Sequence, residues 1–352
     1  MKVLPVFCLL FLAMAGTSCN KNNASTDDNW PSDSIRVVKQ NLQFPWEILW
    51  GKDDHIWMTE RGGKISKIDP LTGNTVFSTT LSEVVSTGEG GLLGMVQHPD
   101  FLSNGYIYVV FNYNNSPNYR EKVVRLTFQS NTLGSPLTVI DNIAAASIHN
   151  GSRLMIAGNK LFITTGDASN AANAQNTASV NGKILRLNLD GTIPTDNPVS
   201  GNPYWTYGHR NPQGMVMVNN TIYASEHGPN VQDELNIIEK GMNYGWQNIT
   251  TGIKAPIWSS GNVTFAVCGL DYYNNDRIPE WKNSLLLTTL KDATLYKFTL
   301  GSNGQAVSTP DKYFKNEWGR LRDICISPAG RVYLCTSNGG NNDKLIEISG
   351  IE

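Results

Sequence analysis

The chain of 352 residues carries almost no excess charge: 28 Lys and Arg against 30 Asp and Glu leave a net charge of −2. That excludes the broad basic footprint of a nucleic-acid binder or of a protein held electrostatically on an anionic membrane. Cysteine is scarce, five in all, and no CxxC or Cys/His spacing signals zinc. No glycine-rich phosphate loop opens a helix, which argues against nucleotide binding. No GxSxG elbow is present, which argues against a serine hydrolase. Helix-period segments of useful length are missing from the body of the chain, and no apolar run is long enough to span a bilayer.

What is present is turn chemistry. Glycine (32) and proline (16) punctuate many short β-rich runs, as in an all-β fold. The N-terminus reads as an export signal: Lys2, then the apolar stretch Val3 to Ala15. Small residues before Cys19, and the polar NKNNASTDDNWPS after it, resemble a bacterial lipoprotein signal. On that reading residues 1–18 are removed, Cys19 is lipidated and residues 19–33 form a tether. The alternative is a plain secretory signal cut near Cys19. Either way the mature protein is expected outside the cytoplasm, periplasmic or in the cell envelope, meeting a membrane only through a lipid at Cys19. Of the later cysteines, Cys325 and Cys335 flank the turn Pro328-Ala329-Gly330-Arg331. They are expected to be buried thiols, with a disulfide as the alternative in an oxidising compartment.

One pattern recurs: an apolar run, a turn rich in Gly, Asn or Asp, a second β-rich run, then a third short strand. Copies begin at Glu47, Gly94, Arg153, Gly214, Ser284 and Asp323, roughly 40–70 residues apart, the blade-sized period of a β-propeller with loop insertions. Six copies predict a six-bladed all-β propeller over residues 34–352 in a single domain. The strand from Ser34 lacks a blade of its own and is expected to complete the last one, which removes an open sheet edge.

Loops at one end of the blades converge on the axis, so polar residues at matching repeat positions should meet. The stretch 205–246 is the densest: His209, Arg210, Asn211 and Gln213 precede one strand, and Glu226-His227-Gly228-Pro229 ends the next. His149 and Asp167 hold the corresponding positions one repeat earlier, a base-and-orienter pairing. Arg210, Lys291, Arg320 and Arg322 suit an anionic ligand, since the guanidinium fork matches carboxylates. The carbonyls of Gly228 and Pro229 suit a hard cation such as calcium. Asp53, Asp54, His55 and His98 read as turn residues. A lone His or Arg of this kind is ordinarily structural; the recurrence is what points to a site.

The motifs GEGGLLGMVQHPDF (from Gly88), HNGSRL (from His149), GKILRLNLDGTIPTDNP (from Gly182), YGHRNPQG (from Tyr207) and SEHGPNVQDELNIIEKGMNYGW (from Ser225) make a specific combination. By these the chain resembles the glucose/sorbosone dehydrogenase family, quinoproteins that use pyrroloquinoline quinone (PQQ) and calcium on a six-bladed propeller. The resemblance runs from about Pro45 to Glu347. It implies PQQ- and calcium-dependent oxidation of aldoses to lactones, with electrons passed to an external acceptor. His149 is then the general base and Asp167 its partner. Arg210 and Asn211 lie beside the quinone carbonyls, Lys291, Arg320 and Arg322 clamp the cofactor carboxylates, and Glu89 stands at a cofactor contact. Gly228 and Pro229 hold one calcium, and Glu234 and Tyr244 a second. Trp258 is the expected aromatic near the site, and residues 112–120 and 252–267 are expected to be substrate loops. The alternatives are a propeller lactonase, which needs an axial carboxylate-rich metal site, and a non-catalytic propeller that binds sugar or protein.

Overall fold

The computed structural model describes Met1 and residues 30–351 except 116, 117 and 248. The signal segment, the tether and Cys19 therefore lie outside the described residues. Asp33–Glu352 forms one compact unit.

That unit is a six-bladed β-propeller. The first strands of the blades are Pro45–Trp50, Leu92–Gln97, Gly151–Ala157, Pro212–Val218, Val267–Tyr273 and Leu321–Ile326. Each of these packs on the first strand of the next blade, and the last returns to the first, so they form a closed inner ring. Each blade continues outward through antiparallel neighbours. Hairpin chemistry sets the strand ends: Asn219 and Asn220 have φ of 47° and 66°, the left-handed pair that a tight two-residue hairpin demands.

The ring closes as expected. Ile35–Leu42 pairs antiparallel with Asp343–Ile348 and supplies the outer strand of blade six. Side-chain interlocks reinforce the seam: Arg36 Nη2 lies 2.6 Å from Glu347 Oε2. Apolar side chains fill the spaces between blades, for example Trp46, Leu93, Tyr108, Leu154 and Ile163 between blades one, two and three.

Two expectations need correction here. Blade five begins at Val267, not Ser284, because its inner strand Val267–Tyr273 lies ahead of the run that revealed the repeat. Residues 112–120 are not a free loop: Tyr106–Asn115 and Asn118–Gln129 pair to the tip of a long hairpin. Helix is confined, among the described residues, to two four-residue turns and one 3-10 turn. Cys268, Cys325 and Cys335 are buried free thiols. Cys325 pairs with Tyr333 and Cys335 with Asp323 in the hairpin register, so the two cysteines are not opposite each other.

Candidate active site

Below the site, the inner ring is plugged by charge. Arg153, buried on blade three, reaches Glu47 Oε2 at 2.6 Å and Asp323 Oδ1 at 2.9 Å, with its guanidinium 4.5 Å from the Trp46 ring centroid. Asp323 Oδ2 also accepts the backbone N–H of Ile48 at 2.8 Å. Three blades are thereby joined at the axis, and the loops above them rest on a fixed floor.

His149 sits just before the inner strand of blade three with φ 63°. A non-glycine residue in that region carries roughly 1–3 kcal/mol of strain, borne where the surroundings over-determine it. Here its carbonyl accepts the N–H of Ala168 at 3.1 Å. Gly166 makes the fit possible: a Cβ there would lie 1.9 Å from the His149 oxygen. His149 Nδ1 is 2.8 Å from Asp167 Oδ1. A carboxylate only accepts, so Nδ1 carries a proton, and in the neutral ring the lone pair is then on Nε2.

Asp167 is buried and fully engaged. Oδ1 also accepts Ser169 N–H, and Oδ2 accepts the Trp246 indole N–H, both at 2.8 Å. Its own N–H donates to the Arg210 carbonyl at 2.8 Å. The pair on blade three is thus tied to the entry loop of blade four.

That loop is set by Glu226. One of its oxygens accepts the backbone N–H groups of Arg210 and Asn211; the other lies 2.8 Å from His209 Nδ1. His209 is fully buried, bonds Thr206 through Nε2 and stacks on Tyr244, so it is structural. Arg210 rests 5.3 Å from the Trp246 ring centroid, Nη1 donates to the His227 carbonyl at 3.3 Å, and its buried Nε has no partner. Burial lowers its pKa. Asn211 Oδ1 accepts Gly151 N–H at 2.9 Å, bracing blade three against blade four.

A cleft of about 140 Å³ opens on this face. Arg61, Arg320 and Arg322 line it with Glu89, Gln213 and His227. Arg322 is buried, with Nη1 2.9 Å from Gln213 Oε1 and 3.4 Å from Cys268 Sγ. Arg61 stacks on Phe44 at 4.6 Å. The buried Nε atoms of Arg61 and Arg322 lack partners. Burial, then the proximity of Arg322, lowers the pKa of both Arg61 and Arg320. His227 is pushed down to about 3 by burial and then by Arg322 and Arg210, so it is neutral at working pH. Glu89 Oε2 accepts His149 N–H at 3.3 Å. Larger hollows of about 330 and 530 Å³ occur on the outer parts of blades one and two. They gather no comparable charge, and Asp53 and Lys67 in one of them pair with each other at 2.8 Å.

Lys291 is exposed and follows Leu290, a residue of the cleft wall. Gly228 N–H donates to Asp233 Oδ1 at 2.9 Å, and buried Asp233 also accepts Phe265 N–H at 2.6 Å and Ala266 N–H at 2.8 Å. Trp258 does not reach the site: it packs with Phe265, Tyr296 and Phe298. The indole at the site is Trp246. The Tyr244 hydroxyl is also committed, donating to Ile237 O at 2.6 Å and accepting Glu239 N–H at 2.9 Å. Arg61, Gln213, His227 and Trp246 received no role from the sequence. Arg61 follows a second strand, Ile56–Glu60, as Asp167 and His227 follow theirs nearby, and that shared position is the signal that would have found it.

The model of the family described as Glucose / Sorbosone dehydrogenase matches residues 42–347. Quinoprotein glucose dehydrogenase B of Acinetobacter calcoaceticus is 30% identical, covering 88% of this chain and 86% of its own. Aldose sugar dehydrogenase YliI of Escherichia coli (strain K12) is also 30% identical, covering 90% and 92%. The PQQ-bound form of aldose sugar dehydrogenase from Streptomyces coelicolor superposes with a TM-score of 0.78 at 28% identity, over 90% of this chain and 98% of that one.

Proposed function

The chain belongs to the glucose/sorbosone dehydrogenase family, and from that premise we propose that it oxidises aldoses at the anomeric carbon to lactones, with PQQ and calcium in the axial cleft. The observation that carries this is the convergence of Arg61, Arg320 and Arg322 with two buried Nε–H donors unmet. Three guanidinium groups gathered at one cleft, with Arg322 buried among them, favour an anion of several negative groups, and guanidinium forks suit carboxylates. A cofactor bearing three carboxylates fits that donor set. Lys291 extends the same charge at the rim.

PQQ, when bound, supplies the hydride acceptor. The chain's own residues do the rest. His149 takes the proton of the anomeric hydroxyl on Nε2. Asp167 holds the productive tautomer and stabilises the imidazolium. Arg210 sets a half-buried positive charge where negative charge develops, a form of preorganised stabilisation. The free amide nitrogen of Asn211 is the second donor beside it. Glu89 holds the His149 backbone.

Among the described residues, no three His, Cys, Asp or Glu side chains form a metal set. Calcium is assigned instead to carbonyl oxygens, those of Gly228 and Pro229, at a turn pinned by Asp233. A second calcium is assigned to Glu234 with Tyr244. Glu234 is pushed up to about 7 by burial and by nearby Glu226 and Asp233, which a divalent cation would relieve. Since the Tyr244 hydroxyl is committed, its carbonyl is the atom that remains to serve. A lactonase lacks support here, because the axial carboxyl groups Glu47 and Asp323 are both taken up by Arg153.

We place the mature protein, residues 34–352 on a short tether, outside the cytoplasm with Cys19 lipidated; loss of labelled-lipid incorporation in Cys19→Ala checks this. The function is tested by mixing purified apoprotein with PQQ and calcium, then assaying aldoses with an artificial electron acceptor. Dye reduction that depends on PQQ, calcium and sugar is expected; no PQQ binding and no dye reduction would overturn the assignment.

A further inference from the structure

We propose that Trp246 is a positioning residue that keeps the His149 imidazole neutral by drawing charge from Asp167; the proposal rests on the reading of His149 as base. Two contacts carry it. The indole Nε1–H donates to Asp167 Oδ2 at 2.8 Å, the oxygen not used by His149. The same ring lies 5.3 Å from the Arg210 guanidinium. One side chain thus touches both the partner of the base and the cation opposite it.

Trp246 is itself held from several sides. Its backbone N–H donates to Gly208 O at 2.8 Å, and its carbonyl accepts Gln175 Nε2 at 2.8 Å. Gln175 also exchanges two hydrogen bonds with Asn243. Gly208 allows the approach: its φ is 79°, and a Cβ would lie 2.0 Å from Asn243 Oδ1. Ring placement this tightly determined suits a residue whose one donor must stay aimed at a carboxylate.

The chemistry has a sign. A hydrogen bond to the ionised carboxylate spreads its charge. A carboxylate with less charge stabilises the imidazolium less, so the base is free at lower pH. Other groups facing the pair are Glu89 at the His149 N–H, Arg210 and His227 from blade four, and Arg61, Arg320 and Arg322 across the cleft. All remain when the indole N–H alone is removed.

Trp246→Phe does that while keeping a ring beneath Arg210. His149 in the full-length apoprotein is followed by NMR of its ring nitrogens, assigned with His149→Gln. Its titration midpoint is expected to rise by roughly 0.5–1 pH unit, and the acid limb of kcat in the loaded enzyme to rise with it at unchanged KM. In unmodified protein, the Trp246 indole resonance should titrate with the His149 midpoint, which needs no variant to fold. An unmoved midpoint, a uniform loss of kcat at all pH, or an indole resonance blind to His149 would each overturn the proposal. The apoprotein titration is independent of turnover, so an inactive enzyme with the expected rise in midpoint would fault the functional reading alone.

Discussion

Glu226 Oε2 lies 2.8 Å from His209 Nδ1, both buried, one blade-strand apart. The other oxygen of Glu226 holds the backbone of Arg210 and Asn211. A conspicuous histidine in the motif thereby serves as an anchor, and the residue after it as the working cation. Glu226→Ala leaves His209 and two N–H groups unmet. It should cost roughly 2–4 kcal/mol in denaturant unfolding and lower cofactor affinity through misplaced Arg210.

The axial floor makes a separate prediction. Arg153→Ala leaves buried Asp323, and Glu47 beside it, without the cation they share. Such a loss costs roughly 3–5 kcal/mol. Unfolding midpoints should fall accordingly, whereas Lys282→Ala, whose ion pair with Asp276 is exposed on both sides, should change stability by less than about 1 kcal/mol.

Arg61 is a cleft cation that the repeat pattern left without a role. Arg61→Ala should weaken PQQ binding roughly 10–100-fold, the equivalent of one or two charge-assisted hydrogen bonds. Fluorescence titration of the apoprotein checks it, and Asp69→Ala, remote from the cleft, serves as control.

One contribution to the pH dependence of stability can be isolated at Glu121, whose carboxyl is pushed up to about 8 by burial, partly offset by the Ser152 hydroxyl. Its folded pKa lies above its unfolded value near 4.5. The native state therefore holds the extra proton between those values, and stability falls as pH rises from about 4.5 to about 8. Relative to Glu121→Gln, the unmodified protein should lose stability over that window, by about 1.4 kcal/mol for each pH unit crossed. Urea unfolding of the two proteins at a series of pH values checks it. His227, pushed down to about 3, acts oppositely between about 3 and 6.5 in both proteins and cancels in the comparison.

The fold was legible where local chemistry and tertiary role agree. Lys160–Thr165 and Thr221–Glu226 follow Gly-Asn and Asn-Asn turns whose residues adopt positive φ, so the hairpins announce themselves. Blade five's inner strand went unread although its Gly269 stands where Gly94 and Gly214 stand in the inner strands of blades two and four. That glycine answers a packing demand from another blade: a Cβ there would lie 2.2 Å from Asp323 Oδ1. Outer strands such as Trp258–Ser259 and Asp311–Tyr313 are too short to show a period. At the site, His149 and Asp167 stood out by their repeat positions, and the structure brings them to 2.8 Å. Trp246 and Trp258 are indistinguishable by composition; only the register of their loops decides which indole meets Asp167. Asp53 and His55 belong to a turn, as their sequence context suggested, with His55 Nδ1 2.6 Å from Asp53 O.

The most direct test is an anaerobic titration of apoprotein with PQQ in the presence of calcium, followed by addition of an aldose. The account predicts saturable one-to-one uptake and rapid loss of the quinone absorbance on adding sugar, with His149→Ala taking up PQQ equally but reducing it roughly 10²–10⁴-fold more slowly. Absence of saturable uptake, or equal reduction rates in the two proteins, would contradict it.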